Sequence, residues 1–208
     1  MPKRKKIIVF TVLLALAWSG AIAFGLRTLL AYEATPGAVG LLAQTWPKKS
    51  SIRRTPGQPT LVMLAHPRCP CTSASIDELA ELLAHTHGKV NSYVLFLKPE
   101  ERDWAETSLQ RAAAAIPGVT VLSDPDGAEA KLFGAQTSGH TLLFDANGHL
   151  VFSGGITGSR GHAGANAGEN ALVALLNDQP AERSATLVFG CSLSGGEQKS
   201  GGQLTCRK

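Results

Sequence analysis

The sequence predicts an α/β protein with a mixed central sheet flanked by helices, preceded by one N-terminal transmembrane helix. Between residues 60 and 122, short apolar runs typical of buried strands alternate with segments of helical periodicity. Two further strand-like runs flank Asn147-Gly148, a pair that favours a tight hairpin turn. Residues 7–26 carry no charge, and about 20 apolar residues at 1.5 Å each cross the hydrocarbon core of a bilayer.

The charges around this apolar segment predict its orientation. The basic residues at positions 3–6 precede it, and Arg27 ends it. Positive charge marks the cytoplasmic end of a span, so residues 1–6 are predicted to be a cytoplasmic stub and the remainder to be exported. We expect a single-pass protein of a bacterial cytoplasmic membrane, with its domain facing the periplasm or the exterior. A cleaved signal peptide is the alternative, with Ala21-Ile22-Ala23 as its cleavage site, although the apolar part of such a peptide is usually about 7–15 residues long.

Composition limits the class of protein further. A chain of 208 residues with 44% hydrophobic and 17% charged residues has room for one folded domain and extra segments. The net charge of +4 matches the basic block at residues 3–6, and no basic stripe interleaved with aromatic residues follows it. We therefore expect the protein to meet a membrane through its N-terminal helix and not to bind nucleic acid.

Beyond the membrane segment, the chain is predicted to contain three parts. Residues 27–58 mix Pro, Gly, Lys and Arg with few apolar residues, as in a juxtamembrane linker, and residues 179–208 form a Gly- and Ser-rich tail. Between them lies the domain, residues 59–178. Its predicted elements are, in order, strand 60–65, helix 72–85, strand 92–98, helix 103–116, strand 119–122, helix 127–133, strands 141–145 and 149–153, and a helix that begins after Asn166, which forms a capping box with Glu169.

Cys69 and Cys71, separated only by Pro70, lie between the first strand and the first helix of the domain. Unpaired N–H groups and the positive end of the macrodipole at a helix N-terminus favour a thiolate, so we expect a depressed pKa at Cys69. Pro70 suits the first helical position, and the cation of Arg68 can stabilise the same thiolate. Such a thiolate attacks disulfides, and a second cysteine nearby resolves the mixed disulfide.

Cys71 is the first candidate for that resolving thiol, and Cys191 is the second. Cys191 ends a short apolar run in the tail, which would bring it near the thiol site if the run packs on the domain. A structural disulfide between Cys191 and Cys206 is an equally good interpretation. The candidate catalytic residues are therefore Cys69, Cys71 and Cys191.

Residues 60–176 resemble the thioredoxin-like superfamily, in particular its membrane-anchored branch related to thiol-disulfide proteins of cytochrome maturation and to peroxiredoxins. The resemblance rests on the strand-Cys-helix placement at residues 69–71, the Ser-Asp-Pro-Asp-Gly stretch at 123–127 and the hairpin at 144–148. Two features depart from it. One residue separates the cysteines where the family has two, so their disulfide would be strained and easily reduced. Gly139-His140-Thr141 stands where the family carries a cis-proline.

His140 suggests an alternative function. Its position resembles the Sco family of membrane-anchored copper-assembly proteins, whose thioredoxin-like fold presents two thiols and one histidine to copper. The resemblance implies Cys69, Cys71 and His140 as copper ligands, although that family spaces its cysteines C-x-x-x-C. Thiolates are soft ligands that suit Cu(I), and an imidazole completes a trigonal site. His66 is a second histidine close to the thiols.

The glycine-rich stretch at residues 154–164 follows a hairpin strand, whereas a phosphate-binding loop joins a strand to a helix in a parallel unit. We therefore predict a flexible loop near the active face, with Arg160 and His162 as candidate contacts. The leading hypothesis is a thiol-disulfide oxidoreductase without a cofactor, acting on protein thiols or disulfides at the membrane surface. A copper-binding assembly factor and a redox-inactive interaction domain are the alternatives.

Overall fold

The computed structural model describes residues 3–86, 88–99 and 106–193 of the chain. The chain divides into two compact units, Met1–Thr35 and Pro36–Lys208. The first unit is one helix, α1 (Lys3–Glu33), and none of its side chains is buried. Its length and apolar composition fit either a single membrane span or a signal sequence.

The second unit is built on a five-stranded mixed sheet. Its strands are β1 (Thr60–Ala65), β2 (Asn91–Lys98), β3 (Val119–Pro125), β4 (His140–Phe144) and β5 (Leu150–Gly154), and they lie in the order β3-β2-β1-β4-β5. The first three run parallel, and β4 and β5 are antiparallel to their neighbours. Every residue of β1 is buried because this strand lies at the centre of the sheet, which explains its almost uninterrupted apolar sequence.

Helices cover both faces of this sheet. On one face, α2 (Cys71–Thr86), α3 (Ser108–Ala114) and α5 (Ala167–Leu176) pack their apolar residues on alternate positions of β1, β2, β4 and β5. Among the described residues, the helix on the other face is the short α4 (Ala128–Phe133). This mixed sheet between two helical layers confirms the predicted α/β class and has the thioredoxin-like arrangement that the sequence resemblance implied.

Helix caps explain where two elements begin. The predicted start of α3, residue 103, lies outside the described residues, and the described helix begins only after Thr107. The Thr107 hydroxyl accepts a hydrogen bond from the Gln110 N–H, and the Gln110 side chain accepts one from the Thr107 N–H. At α5, Asn166 accepts from the backbone N–H groups of Gly168 and Glu169, as a cap should. The predicted reciprocal bond is absent from that cap, because the Glu169 carboxylate faces another helix.

The segment predicted to be a juxtamembrane linker packs on the domain from residue 36 onward. Trp46 meets the rings of Phe133 and Phe144 edge to face, with centroids 5.1 Å away in both cases, and Ile52 is buried in the same cluster. The backbone beside Trp46 also pairs with the outer edge of β5, where Thr45 bridges His149. The reason is that α4 alone is too short to cover this face of the sheet, so the linker prediction was wrong for residues 36–58.

Residues 185–193, which we call the strap, also belong to the domain although the sequence predicts a tail there. Ala185 bridges Ser153 of β5, and Thr186 donates its N–H to the Ser153 carbonyl at 3.2 Å. The strap then crosses to the segment before β4, where Leu193 donates to the carbonyl of Gln136 at 2.8 Å. Val188, Phe189 and Leu193 are buried, and this apolar area holds the strap in place. The tail from residue 194, including Cys206, lies outside the described residues.

Candidate active site

The site forms where β1 ends and α2 begins. After Ala65, the last residue of β1, the chain makes a turn in which the Cys69 N–H donates a hydrogen bond to the His66 carbonyl at 3.1 Å. The Thr72 N–H then donates to the Cys69 carbonyl at 3.1 Å, and α2 starts at Cys71. Pro70 stands directly before the helix, where its missing N–H leaves no helical hydrogen bond unmade. The turn therefore places both cysteines at the N-terminus of α2, as the sequence predicts.

Ser138 connects this turn to the segment before β4. Its hydroxyl accepts the N–H of His66 at 2.8 Å and lies 2.7 Å from the Thr72 hydroxyl, while its own N–H donates to the Cys191 carbonyl at 2.8 Å. Sequence reasoning missed Ser138. The sequence feature that could have identified Ser138 is its position next to Gly139, in the segment where the family that the chain resembles carries a cis-proline. Among the residues that the structure describes, no peptide bond is cis. Ser138 thus joins the strap, the turn and α2 through three hydrogen bonds.

Three thiols meet at this point. Cys69 is fully buried at 0% exposure, whereas Cys71 and Cys191 are half-buried. The Cys69 sulfur lies within hydrogen-bonding reach of the side chains of Cys191 and Cys71. The structure therefore brings together all three residues of the predicted catalytic set, and the strap is the element that supplies the third.

These neighbours stabilise Cys69 as a thiolate. The pKa of Cys69 lies far below its ordinary value, chiefly because the Cys191 thiol donates a hydrogen bond to the sulfur, and next because the Cys71 thiol does. Burial opposes this shift, and the Thr72 hydroxyl and the Cys191 backbone N–H add to it. Hydrogen bonds to the charged form outweigh the cost of burying it. Arg68, predicted to stabilise the thiolate, is exposed and is not among these causes.

One sequence expectation about Cys69 is corrected. A thiolate at a helix start was expected to be near the surface and to attack its substrates directly. The structure instead buries Cys69 beneath the strap, whereas the residues Cys71 and Cys191 are half-buried.

His66 lies beside the thiolate. Burial is the largest cause that lowers its pKa; the negative charge of Cys69 opposes this effect, and the positive charge of Arg68 reinforces it. The Nδ1 atom of His66 accepts the Arg68 N–H at 3.1 Å. A neutral imidazole near a thiolate can hold and return a proton during exchange.

His140 is not part of this site. It is fully buried, and its Nε2 lies 2.8 Å from the Ser153 hydroxyl. Alternation along β4 places it on the face of Leu142 and Phe144, opposite the face on which α2 packs. Burial lowers the His140 pKa to about 4.

The copper ligand set implied by the second resemblance is therefore not assembled. Within the described ranges, the one group of His, Cys, Asp or Glu ligand atoms lying within 4.8 Å of one another is Glu78, Glu81 and Glu169. Cys69, Cys71 and His140 do not form such a group. Copper binding itself stays a prediction.

The glycine-rich stretch has a different role from the flexible loop that was predicted. A Cβ on Gly154 would lie 2.1 Å from the Thr186 hydroxyl oxygen, and one on Gly155 would lie 2.6 Å from the Leu187 carbonyl oxygen. These glycines let the strap lie directly against the end of β5. Arg160, a predicted contact residue, is buried and donates a hydrogen bond from Nη1 to the Gly190 carbonyl, while His162 is exposed. The stretch therefore supports the strap next to Cys191.

The domain thus has a thioredoxin-like fold and brings three cysteines together at the N-terminus of α2. No protein-family model matches the chain, and no curated protein matches it in sequence. Among solved structures, it is similar to an uncharacterised conserved protein from Geobacillus kaustophilus, with 20% identity and a TM-score of 0.56 over 81% of this chain and 92% of that one. A hypothetical protein from Sinorhizobium meliloti 1021 has 19% identity and a TM-score of 0.55 over 79% of this chain and 99% of that one.

A third similar structure is a secreted Mycobacterium tuberculosis disulfide oxidoreductase. It has 18% identity and a TM-score of 0.37 over 46% of this chain and 67% of that one, a likeness too low to carry an argument. The first two matches show a shared fold and nothing about chemistry.

Proposed function

We propose that this protein exchanges thiols and disulfides with other proteins through Cys69-Pro70-Cys71. The observation that carries the proposal is the meeting of three cysteine side chains, in which the buried Cys69 lies within hydrogen-bonding reach of the half-buried Cys71 and Cys191. A thiolate is the reactive form in disulfide exchange, and a second thiol within reach completes the reaction by releasing the mixed disulfide. An inert structural cysteine has a raised pKa in apolar surroundings, which is the opposite of what Cys69 shows.

We propose further that the domain works on the outer side of a membrane to which α1 anchors it. The support is the apolar 31-residue α1, which begins in a basic block. Outside the cytoplasm, proteins carry disulfides that such a site can reduce, form or exchange. An anchor keeps the domain close to clients at the membrane surface.

Disulfide exchange by the full-length chain in detergent micelles tests the thiol chemistry. The reduced protein is mixed with insulin, and the loss of insulin disulfides is followed by mass spectrometry after acid quenching. We expect stoichiometric release of both thiols of an insulin disulfide by the native sequence, whereas Cys69→Ser should not get beyond a mixed disulfide between the chain and insulin. Cys206→Ser makes the same chemical change at a cysteine beyond the described residues and should behave like the native sequence. Equal exchange by Cys69→Ser and Cys206→Ser would refute the proposal.

A further inference from the structure

The three thiols at the site are not equivalent. Cys69 contacts both of the others, yet the three sulfur atoms do not lie within 4.8 Å of one another among the described residues. Cys69 is therefore in the middle, with Cys71 on the α2 side and Cys191 on the strap side. It can form a disulfide with either neighbour, but with only one at a time.

The two possible disulfides differ in strain. A Cys69–Cys71 disulfide closes a ring that contains only Pro70 between the cysteines, and disulfide geometry is hard to satisfy in so small a ring. A Cys69–Cys191 disulfide joins two segments that are distant in sequence and adjacent in space, so no short ring constrains it. A strained disulfide is the more easily attacked and reduced of the two. Exchange from Cys71 to Cys191 is therefore downhill.

Backbone contacts keep Cys191 within reach of Cys69. The Ser138 N–H holds the Cys191 carbonyl at 2.8 Å, and the buried Arg160 holds the Gly190 carbonyl. Gly190 itself lies so close to Ser138 that a Cβ would be 2.0 Å from the Ser138 carbonyl oxygen. The strap thus presents Cys191 at a fixed place, which a resolving thiol requires.

We propose that the site is a three-thiol relay in which Cys71 meets the substrate disulfide and Cys191 ends up oxidised, an inference that rests on the thiol exchange proposed above. The half-buried Cys71 attacks a protein disulfide, forming a mixed disulfide and releasing the first substrate thiol. The Cys69 thiolate then attacks the Cys71 sulfur, which releases the second substrate thiol. Cys191 finally attacks the Cys69 sulfur, and Cys71 leaves as a thiol. The substrate gains two electrons and two protons. The protein supplies both electrons and one thiol proton as the Cys69–Cys191 disulfide forms, and the second proton comes from solvent, because Cys69 starts as a thiolate.

The substrate class follows from accessibility. Cys69 has no exposed surface, so a folded protein cannot place a disulfide against it. Cys71, at the first turn of α2, is within reach of a disulfide on the surface of a partner protein. The substrate of this relay is therefore an exposed protein disulfide.

Non-reducing peptide mapping tests the relay. The reduced full-length chain in detergent is treated with one equivalent of glutathione disulfide as the probe, and disulfide-linked peptides are identified over time. At equilibrium we expect the Cys69–Cys191 link, with Cys71 open to alkylation. Cys191→Ser should stop at the Cys69–Cys71 link and need at least about tenfold less dithiothreitol for half-reduction. Cys71→Ser should form the Cys69–Cys191 link at least about tenfold more slowly, while Cys206→Ser should match the native sequence.

An equilibrium link between Cys69 and Cys71, or between Cys191 and Cys206, in the native chain would overturn the relay. Because this result comes from the native chain, it refutes the relay even if Cys191→Ser fails to fold. The failure can be separated from failure of the proposed function. If the native chain reduces insulin but ends with a link other than Cys69–Cys191, only the relay is refuted; if the native chain does not reduce insulin, thiol exchange itself is refuted.

Discussion

Replacing Gly190 by Ala should displace the strap and change the chemistry of Cys69. The added Cβ would lie 2.0 Å from the Ser138 carbonyl oxygen, a backbone atom that cannot move aside easily. The strap must retreat, losing the Ser138–Cys191 and Arg160–Gly190 hydrogen bonds. A neutral hydrogen bond contributes about 1 kcal/mol and one from a charged group about 1.5–3 kcal/mol, so we expect a loss of about 2–4 kcal/mol in the free energy of unfolding.

The same substitution should also change the pKa of Cys69. The first cause of the low Cys69 pKa is the hydrogen bond from Cys191, which moves away with the strap. The Cys69 pKa should therefore rise toward the ordinary thiol value of about 8.5. The pKa of Cys69 can be measured from the pH dependence of its alkylation by iodoacetamide in the reduced chain, resolved by peptide mapping. In Gly190→Ala, the alkylation rate of Cys69 should be higher than in the native chain and should increase between about pH 6 and pH 9.

Gly158→Ala is the matched control, because nothing lies within 4 Å of a Cβ at that position in the same glycine-rich stretch. We expect its urea midpoint and its Cys69 alkylation profile to equal those of the native chain. If Cys69 alkylation has the same pH dependence in Gly190→Ala as in Gly158→Ala, the position of the strap does not set the pKa of Cys69.

Three further predictions concern stability. Trp46→Ala should lower the free energy of unfolding by about 2–3 kcal/mol in a urea titration, because this half-buried ring covers Phe133. Glu169→Gln should raise the melting temperature at pH 7 and have no effect below about pH 4. Burial, and then the neighbouring Glu78, raise the pKa of Glu169 in the folded protein, so ionisation of this carboxyl group lowers stability as pH rises through that pKa. The native chain should lose up to about 3 kcal/mol as pH falls from about 6.5 to about 4, where His140 must be protonated, and His140→Gln should reduce this loss.

Each of these predictions has an outcome that contradicts it. A change below about 0.5 kcal/mol for Trp46→Ala would mean that the segment from residue 36 does not stabilise the domain. A melting temperature for Glu169→Gln that stays below the native value at every pH would show that the carboxylate is favourable where it lies. Parallel stability curves for the native chain and His140→Gln would assign the acid sensitivity to other groups.

The elements of the sheet could be predicted because their signals are local. A short apolar run of six residues between two prolines predicted β1 with the same bounds that the structure shows. The hairpin was also predicted, although only Gly148 of the Asn147-Gly148 pair has a positive φ, of 87°. Helix α3 was predicted too long, because the capping box at Thr107 and Gln110 competes with a helical periodicity that extends past it.

For the segments that complete the domain, the sequence left packing on the sheet only as an open possibility, because their apolar residues follow no helical or strand period. Trp46 and Ile52 stand among Pro, Lys and Arg, and Val188 stands in a chain that otherwise looks like a tail. What fixes them is the uncovered sheet face, a property of the assembled fold. For the same reason the residue types at the site were predicted, while the contact between Cys191 and Cys69 and the part played by Ser138 required the structure.

The position of β5 has a consequence for how other chains can approach the domain. In strand order β5 is an edge strand, yet its outer side is occupied by Thr45 at one end and by Ala185 at the other. Unpaired backbone groups at a sheet edge invite pairing with foreign strands, and two segments of the same chain occupy that place here. A client that adds to this sheet by strand pairing must therefore approach β3, the edge strand farthest from β5 in the sheet.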